Sequence, residues 1–257
     1  MQMDKSVGLY HRFAYVYDSF MSAQVPYLRW VSYIDDVFTS LGVPSGALVL
    51  DAACGTGTMA FLMANRGYNL IGVDSSADML SEALNKMEKK NKSQDILFLH
   101  QDILALDLYG TVNAAYSTCD AFKYLLTEDD FEKALKNIKL FLNNGKKPAV
   151  FIFDLKTVEK YRQLGSNVYR SSNTDASYIW KNIFDEATGI NKYHVEFTLP
   201  AGETFTETHR QRAYGIDTVT EIAERAGYSI IAINDNYTQK AVRPGCERMT
   251  FVLTVLD

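Results

Sequence analysis

The chain has 257 residues, 47% of them hydrophobic, and a formal net charge of −5. That length and apolar content suit one large α/β domain, or a domain carrying an insertion, and exclude a disordered chain. The acidic balance counts against a nucleic-acid partner, and no stretch reaches the apolar length of a membrane span or signal peptide, so a cytoplasmic protein is expected. Three widely spaced cysteines, Cys54, Cys119 and Cys246, lack metal-ligand spacing and fit a reducing compartment, with no metal expected.

Residues 8–40 are rich in aromatic side chains, among them Tyr10, Phe13, Tyr17, Phe20, Tyr27, Trp30, Tyr33 and Phe38. From residue 27 to 38 the apolar positions recur at helical spacing, which predicts an amphipathic helix stopping near Gly42-Val43-Pro44. Residues 47–50 form a β-prone run ending in Asp51. A bend of small residues (52–54) and two glycines, Gly55 and Gly57, precede a helix over about 58–66. Strand, glycine turn and helix N-terminus is the layout that brings backbone N–H groups up to a nucleotide-like ligand, where a side chain would hold the ligand off. The next strand, 69–73, ends in Asp74, placed for ribose hydroxyls.

A helix over 77–90 follows, with Ser76 and Asp78 as candidate caps, then a polar loop through residue 95 and a strand over 96–100. His100 reads as an ordinary strand-end residue. Strand 112–117 leads into Thr118–Leu125, the region where doubly wound folds place ligands. Asp120 there reads equally as a group that positions a ligand amine or as a cap. A helix over 128–142 ends at Asn144-Gly145, and a strand over 149–155 contains Asp154. Residues 156–213 lose the helix–strand alternation and read as β-hairpins of three or four strands. Trp180, Tyr193, Glu207, His209 and Arg212 are candidate ligand contacts on them. A helix over 217–226, capped by Asp217 or Thr218, and strands over 228–234 and 249–256 complete the chain. The last two are predicted to pair antiparallel, and the loop between them, with Tyr237, Arg243 and Arg248, is expected to edge a ligand site.

Taken alone, Gly55-x-Gly57-x-x-Ala60 also fits a nicotinamide dinucleotide fingerprint. Asp51 ahead of Cys54-Gly55-Thr56-Gly57, however, resembles motif I of the class I S-adenosylmethionine (SAM) dependent methyltransferases. An acidic group suits the ammonium of SAM and would repel a pyrophosphate. FAYVYDSF (13–20) followed by PYLRW (26–30) resembles the opening of bacterial small-molecule methyltransferases, including amino-sugar N-methyltransferases. Some of those carry an arginine shortly after the Tyr-Asp pair, where this chain has Ala23-Gln24-Val25.

The resemblance implies a doubly wound, seven-stranded Rossmann-like sheet with an antiparallel last strand. Residues 47–155 and 214–257 would bind SAM, residues 1–46 would be a helical lid, and residues 156–213 an inserted antiparallel β cap on the acceptor side. It implies cofactor contacts from Tyr17, Trp30, Asp51, Ala53, Gly55, Gly57, Asp74, Ser75, Met79, Asp102, Ile103 and Cys119. Asp102 would face the adenine amino group and Ile103 the ring; Tyr10 is a weaker candidate. Acceptor contacts fall to Tyr124, Trp180, Tyr193, His209 and Arg212, with His209 and Tyr124 the candidates for a base if the acceptor is a hydroxyl. The implied activity is methyl transfer to nitrogen or oxygen of a small molecule by in-line displacement, in a monomer or homodimer. The alternatives are a SAM-binding module without catalysis and a nicotinamide-dependent oxidoreductase. An RNA methyltransferase is disfavoured by the charge and by the lack of an Asn-Pro-Pro-Tyr-type tetrapeptide.

Overall fold

The structure is a computed structural model that describes residues 10, 12–90, 96–142 and 149–256. Helices α1 (Ala14–Gln24) and α2 (Tyr27–Ser40) lead into β1 (Leu48–Ala52), α3 (Thr58–Ala64), β2 (Asn69–Asp74), α4 (Ala77–Lys90), β3 (Ile96–His100), β4 (Ala114–Ser117), α5 (Glu128–Phe141) and β5 (Val150–Lys156). Then follow α6 (Val158–Leu164), β6 (Val168–Ser172), β7 (Ser177–Asp185), β8 (Ile190–Thr198), β9 (Thr204–Arg212), α7 (Ile216–Arg225), β10 (Tyr228–Asp235) and β11 (Arg248–Val255).

Seven strands form one sheet in the order β3-β2-β1-β4-β5-β11-β10, and the other four form an antiparallel sheet in chain order. In the large sheet β11 runs against both of its neighbours, while the β1, β2, β3, β4 and β5 pairings are all parallel. This is the expected α/β fold with its reversed terminal hairpin. Parallel strands need helices on both faces, and β5 shows why: Val150 to Leu155 are all buried. One face packs Phe131, Phe153, Tyr214 and Ile222 beneath α5 and α7. The other packs Trp30, Ile34, Phe38 and Ile152 beneath α2 and α3. Tyr33 and Phe38 are thus core residues, as their spacing suggested.

The aromatic segment before residue 27 is itself a helix. Val16 and Phe20 of α1 share a separate apolar cluster with Val195 and Phe197 of the four-stranded sheet, so α1 belongs to that sheet and α2 to the large one. Three other readings need correction. Residues 158–164, read as part of the β region, form α6, a single short helix capped by Thr157, whose hydroxyl accepts from Lys160 N–H at 3.1 Å. Helix α7 starts at Ile216 behind Gly215 with no side-chain cap, so neither Asp217 nor Thr218 caps it. Asp120 caps nothing either. Ser76 does cap α4, accepting from Met79 N–H at 3.3 Å. The loop expected through residue 95 and the stop at Asn144-Gly145 lie outside the described residues.

Strand order reverses between β1 and β4, so their carboxyl ends diverge and leave a crevice. Gly57 sets the approach of α3 to that crevice. Its φ is +72°, and a Cβ there would meet the Phe98 ring at 2.7 Å and the Ala83 Cβ at 3.2 Å. The same ring lies 2.8 Å from where Gly72 would carry a Cβ, so Phe98 cannot retreat toward β2. Gly57→Ala is therefore expected to cost about 2–4 kcal/mol of stability, from left-handed strain plus overpacking. Gly55→Ala, with open space around the new Cβ, should cost only about 1 kcal/mol. Urea unfolding of the two variants checks the contrast; equal losses would contradict it.

Candidate active site

A cavity of about 700 Å³ opens at the carboxyl ends of β1, β2, β3 and β4. It is lined by Ala53 and Gly55 after β1, Asp74 and Ser75 after β2, Met79 of α4, Asp102 and Ile103 after β3, and Cys119 after β4, with Tyr17 of α1 above. Nine of the residues expected at the cofactor thus share one wall. The backbone is strained where it matters: Ala53 has φ +64°, Cys119 +62° and Asp120 +59°. Such angles cost non-glycine residues on the order of 1 kcal/mol and persist only where surroundings fix them. Asp74 does this for the β1 turn. Its Oδ2 accepts from Gly55 N–H at 2.7 Å and its Oδ1 from Ser76 N–H at 2.9 Å.

The turn differs from the sequence expectation in one respect. The N–H groups of Cys54, Gly55 and Gly57 are engaged inside the protein, by Val73 O, Asp74 Oδ2 and Cys54 O. The turn therefore offers a ligand its shape and lack of side chains more than a row of donors. Gly57 is buried under Phe98 and does not line the cavity. Asp102 starts the short turn Ile103–Ala105 by accepting from Leu104 N–H at 2.9 Å, while remaining exposed. His100 rests against Ser75 O at 3.0 Å.

Asp51 is 1% exposed and stands behind the wall. Its Oδ2 accepts from Tyr116 O–H at 2.9 Å, but its Oδ1 is a buried acceptor with no hydrogen-bond partner. Burial without a cation pushes this carboxyl up to about 8. An orphaned acceptor beside an open glycine turn fits the ammonium of an amino-acid ligand, so the residues present suit SAM.

A second cavity of about 330 Å³ lies between α1, the four-stranded sheet and β11, and Tyr10, Tyr17 and Cys119 line both cavities. Trp30 belongs to this second wall and not the first. Trp30, in the first turn of α2, stacks on Tyr237 of the loop between β10 and β11 at 4.5 Å and lies under the guanidinium of Arg248, the first residue of β11, at 5.0 Å. Trp180 and Tyr193 also line the second cavity, and Tyr124 lines the first. His209 and Arg212 line neither. His209 is fully buried, stacked on Tyr193 at 4.6 Å. Arg212, at the end of β9, donates to Leu126 O at 3.1 Å and pairs with Glu128 at 3.3 Å.

Between the cavities runs a hydrogen-bonded chain. Glu207 Oε2 lies 3.0 Å from His209 Nε2, and His209 Nδ1 lies 3.0 Å from Tyr124 Oη. The carboxylate fixes the ring proton on Nε2, so Nδ1 accepts from the Tyr124 hydroxyl. Tyr10 Oη is 2.6 Å from Tyr124 Oη, and Gln211 donates to it at 3.2 Å. Glu207 also accepts from the backbone N–H groups of Tyr10 and Phe13, at 3.2 and 3.0 Å, which ties the start of α1 to the sheet.

Sequence reasoning missed two sets of residues. Asp18 clamps α1 to the glycine turn, accepting from Thr56 at 2.7 Å and pairing with Lys86 at 2.7 Å. The other set is Lys123 and Lys156, which join Asp120, Asp154 and Arg248, each named singly above, in a buried ionic cluster at the ends of β4, β5 and β11. Arg248 contacts both Asp120 and Asp154, and Lys123 and Lys156 reach Asp120 Oδ2 at 3.3 and 3.2 Å. Asp154 also accepts from Tyr237 O–H at 2.5 Å. Of the three loop residues expected to edge a ligand, Arg248 lines the second cavity, Tyr237 is buried behind Trp30, and Arg243 points away to Asp235. Among the described residues no group of His, Cys, Asp or Glu could hold a metal, and no helix is long and apolar enough to cross a membrane.

The Asp51 environment sets a pH dependence. In the unfolded chain an aspartate titrates near 4, so between about pH 4 and 8 the folded state holds a proton that the unfolded state has lost. Stability attributable to this group therefore falls as pH rises, by up to about 1.4 kcal/mol per pH unit. Asp51→Asn, which keeps a carbonyl for Tyr116, should gain on the wild type in melting temperature steadily from pH 5 to 8. Identical pH profiles for the two proteins would contradict the assignment.

A methyltransferase-domain sequence profile matches residues 49–145. Over 250 residues the chain is 30% identical to the Bacillus subtilis (strain 168) protein named "Putative methyltransferase YqeM", covering 95% of this chain and 96% of that one. The fold superposes on a S-adenosylmethionine-dependent methyltransferase from Clostridium acetobutylicum ATCC 824 with a TM-score of 0.85 and 27% identity, over 97% of this chain and 100% of the other. It also superposes on the sugar N-methyltransferase KedS8 from Streptoalloteichus sp. ATCC 53650, with a TM-score of 0.76 over 100% and 97% of the two chains, where 15% identity speaks to fold alone. With the crevice, the glycine turn and the orphaned Asp51 acceptor, these likenesses make the chain a member of the class I SAM-dependent methyltransferase family.

Proposed function

We propose that this methyltransferase acts on a small molecule held in the second cavity. The observation that carries the reading is the shared wall: Tyr10, Tyr17 and Cys119 separate two cavities, one sized for the cofactor and one of about 330 Å³. That volume suits a compact molecule rather than a polymer segment. KedS8, by its name a sugar N-methyltransferase, offers a precedent on the same fold for an acceptor of that size.

In this reading the first cavity binds SAM. Asp51 Oδ1 receives the ammonium, Asp74 turns its remaining lone pairs to the ribose, and Asp102 and Ile103 flank the adenine. Bound SAM supplies a methyl group made electrophilic by its sulfonium. The chain's own residues then align and exclude water: Tyr17 closes one side of the shared wall and Cys119 the other. The α1 helix, clamped by Asp18, is the lid, and the four-stranded sheet is the acceptor wall. An amine that arrives deprotonated needs no further help. For a hydroxyl or ammonium acceptor, the proton passes to Tyr10, which lines both cavities, as Tyr10 gives its own to Tyr124 and Tyr124 gives its own to His209 Nδ1, while Glu207 stabilises the imidazolium. Burial raises the Tyr124 hydroxyl above its ordinary value, so the phenol keeps its proton until His209 takes it.

Calorimetry tests the division of labour. SAM and S-adenosylhomocysteine should bind at micromolar levels and NAD should not bind. Trp180→Ala, on the second cavity only, should leave S-adenosylhomocysteine affinity within about threefold, below the 1.4 kcal/mol of a tenfold change. Tyr17→Ala should weaken it by about tenfold or more. Tighter binding of NAD, or loss of S-adenosylhomocysteine on Trp180→Ala but not Tyr17→Ala, would overturn the assignment.

A further inference from the structure

The second cavity has a polar balance that its aromatic walls conceal. Three cations, Lys123, Lys156 and Arg248, meet there with two carboxylates, Asp120 and Asp154. Both carboxylates are fully occupied. Asp154 accepts from Tyr237 O–H, Asp120 N–H and Arg248, and Asp120 accepts from Arg248, Lys123 and Lys156. The rim residue Glu247 is paired with Lys160 at 2.6 Å, and Glu207, which does not line the cavity, is taken up by the Tyr10 and Phe13 N–H groups and by His209. Donors, by contrast, are left over. Lys123 and Lys156 share a single acceptor atom, Asp120 Oδ2. The indole Nε1 groups of Trp30 and Trp180, both in the cavity wall, are buried donors with no partner, and Trp30 is 2% exposed. A buried indole N–H ordinarily finds an acceptor, and leaving one unmet costs about 1–3 kcal/mol.

We infer that the methyl acceptor is a small organic acid, an apolar or aromatic body carrying one carboxylate, which Lys123 and Lys156, sharing one acceptor atom between them, receive in the second cavity. This rests on the proposed function only in taking the second cavity as the acceptor site. One excess positive charge matches a monoanion better than a phosphate dianion, and it opposes a cationic amino sugar. Lys123 fits this picture. Burial, reinforced by the nearby Lys156 and Arg248 charges, pushes its ammonium down to about 8, as expected of a cation short of anionic neighbours. The aromatic rings of Trp30, Tyr178, Trp180 and Phe197 would hold the body of the acid.

Three probes that share one phenol ring test this on the full chain saturated with S-adenosylhomocysteine: 4-hydroxybenzoate, its isosteric neutral amide and the cationic 4-hydroxybenzylamine. The chain has two tryptophans, both in this wall, so their fluorescence reports occupancy directly. The acid should bind at least tenfold more tightly than the amide, and the amine should not bind. Lys156→Gln, at a partly exposed position, should reduce the acid-to-amide ratio to below about threefold while S-adenosylhomocysteine still binds; Lys123→Gln provides a second variant. Acid binding that is absent or no tighter than the amide's, an amine that binds best, or a ratio unchanged in folded Lys156→Gln overturns the inference. Failure to bind S-adenosylhomocysteine, read in the same titration, counts instead against the proposed function.

Discussion

Two hydrogen bonds to one carboxylate, from Gly55 and Ser76 to Asp74, hold the turn after β1 against the end of β2. Much of the site depends on that arrangement. The turn presents Thr56 and Thr58 to Asp18, and Asp18 fixes α1 across the crevice. Once fixed, α1 places Tyr17 in the wall shared by the two cavities and lays Val16 and Phe20 on the four-stranded sheet. Glu207 ties the start of the same helix from the other side. The second cavity is therefore enclosed by elements whose relative position begins at a strand tip.

Two kinds of buried carboxylate stand at this site, and they behave oppositely for a clear reason. Asp51 has no cation beside it, so burial raises it. Asp120 is buried as deeply, yet against that desolvation Arg248, Lys156 and Lys123 hold it well below the usual carboxylate range. The first cavity is thus lined by carboxylates, Asp74 and Asp102 with Asp51 behind, and suits a ligand bearing an ammonium and a sulfonium. The second has surplus cationic charge and suits an acid. Oppositely charged partners held on the two sides of Tyr17 would attract each other in a medium of low dielectric.

The large sheet was legible because each strand and helix carries its own period, and Asp51, Asp74 and Asp102 each sit where a strand ends. The turn and the terminal hairpin followed from local pattern, and the nine positions on the first cavity's wall from the resemblance to the methyltransferase family. What stayed hidden depends on contacts distant in sequence. Trp30 looked like a cofactor residue because it follows the Tyr-Asp segment, but α2 turns it toward Arg248, more than two hundred residues later. No local pattern marks Lys123 or Lys156, because only the fold brings both to Asp120. Helix α6 was lost because seven residues are too few to show a helical period against the strands that follow. Glu207 and His209 alternate correctly on β9, yet their joint contact with Tyr10 and Tyr124 is a property of packing.

The central claim is that Asp51 receives the cofactor's ammonium. Titration calorimetry of S-adenosylhomocysteine at pH 6.5, in two buffers of different ionisation enthalpy, tests it most directly. Free Asp51 is protonated at that pH, and an ammonium at Oδ1 would ionise it, so binding should release about one proton in the wild type. The Asp51→Asn variant should bind more weakly and release essentially none. Binding without proton release in the wild type, or equal release by the variant, would contradict the claim.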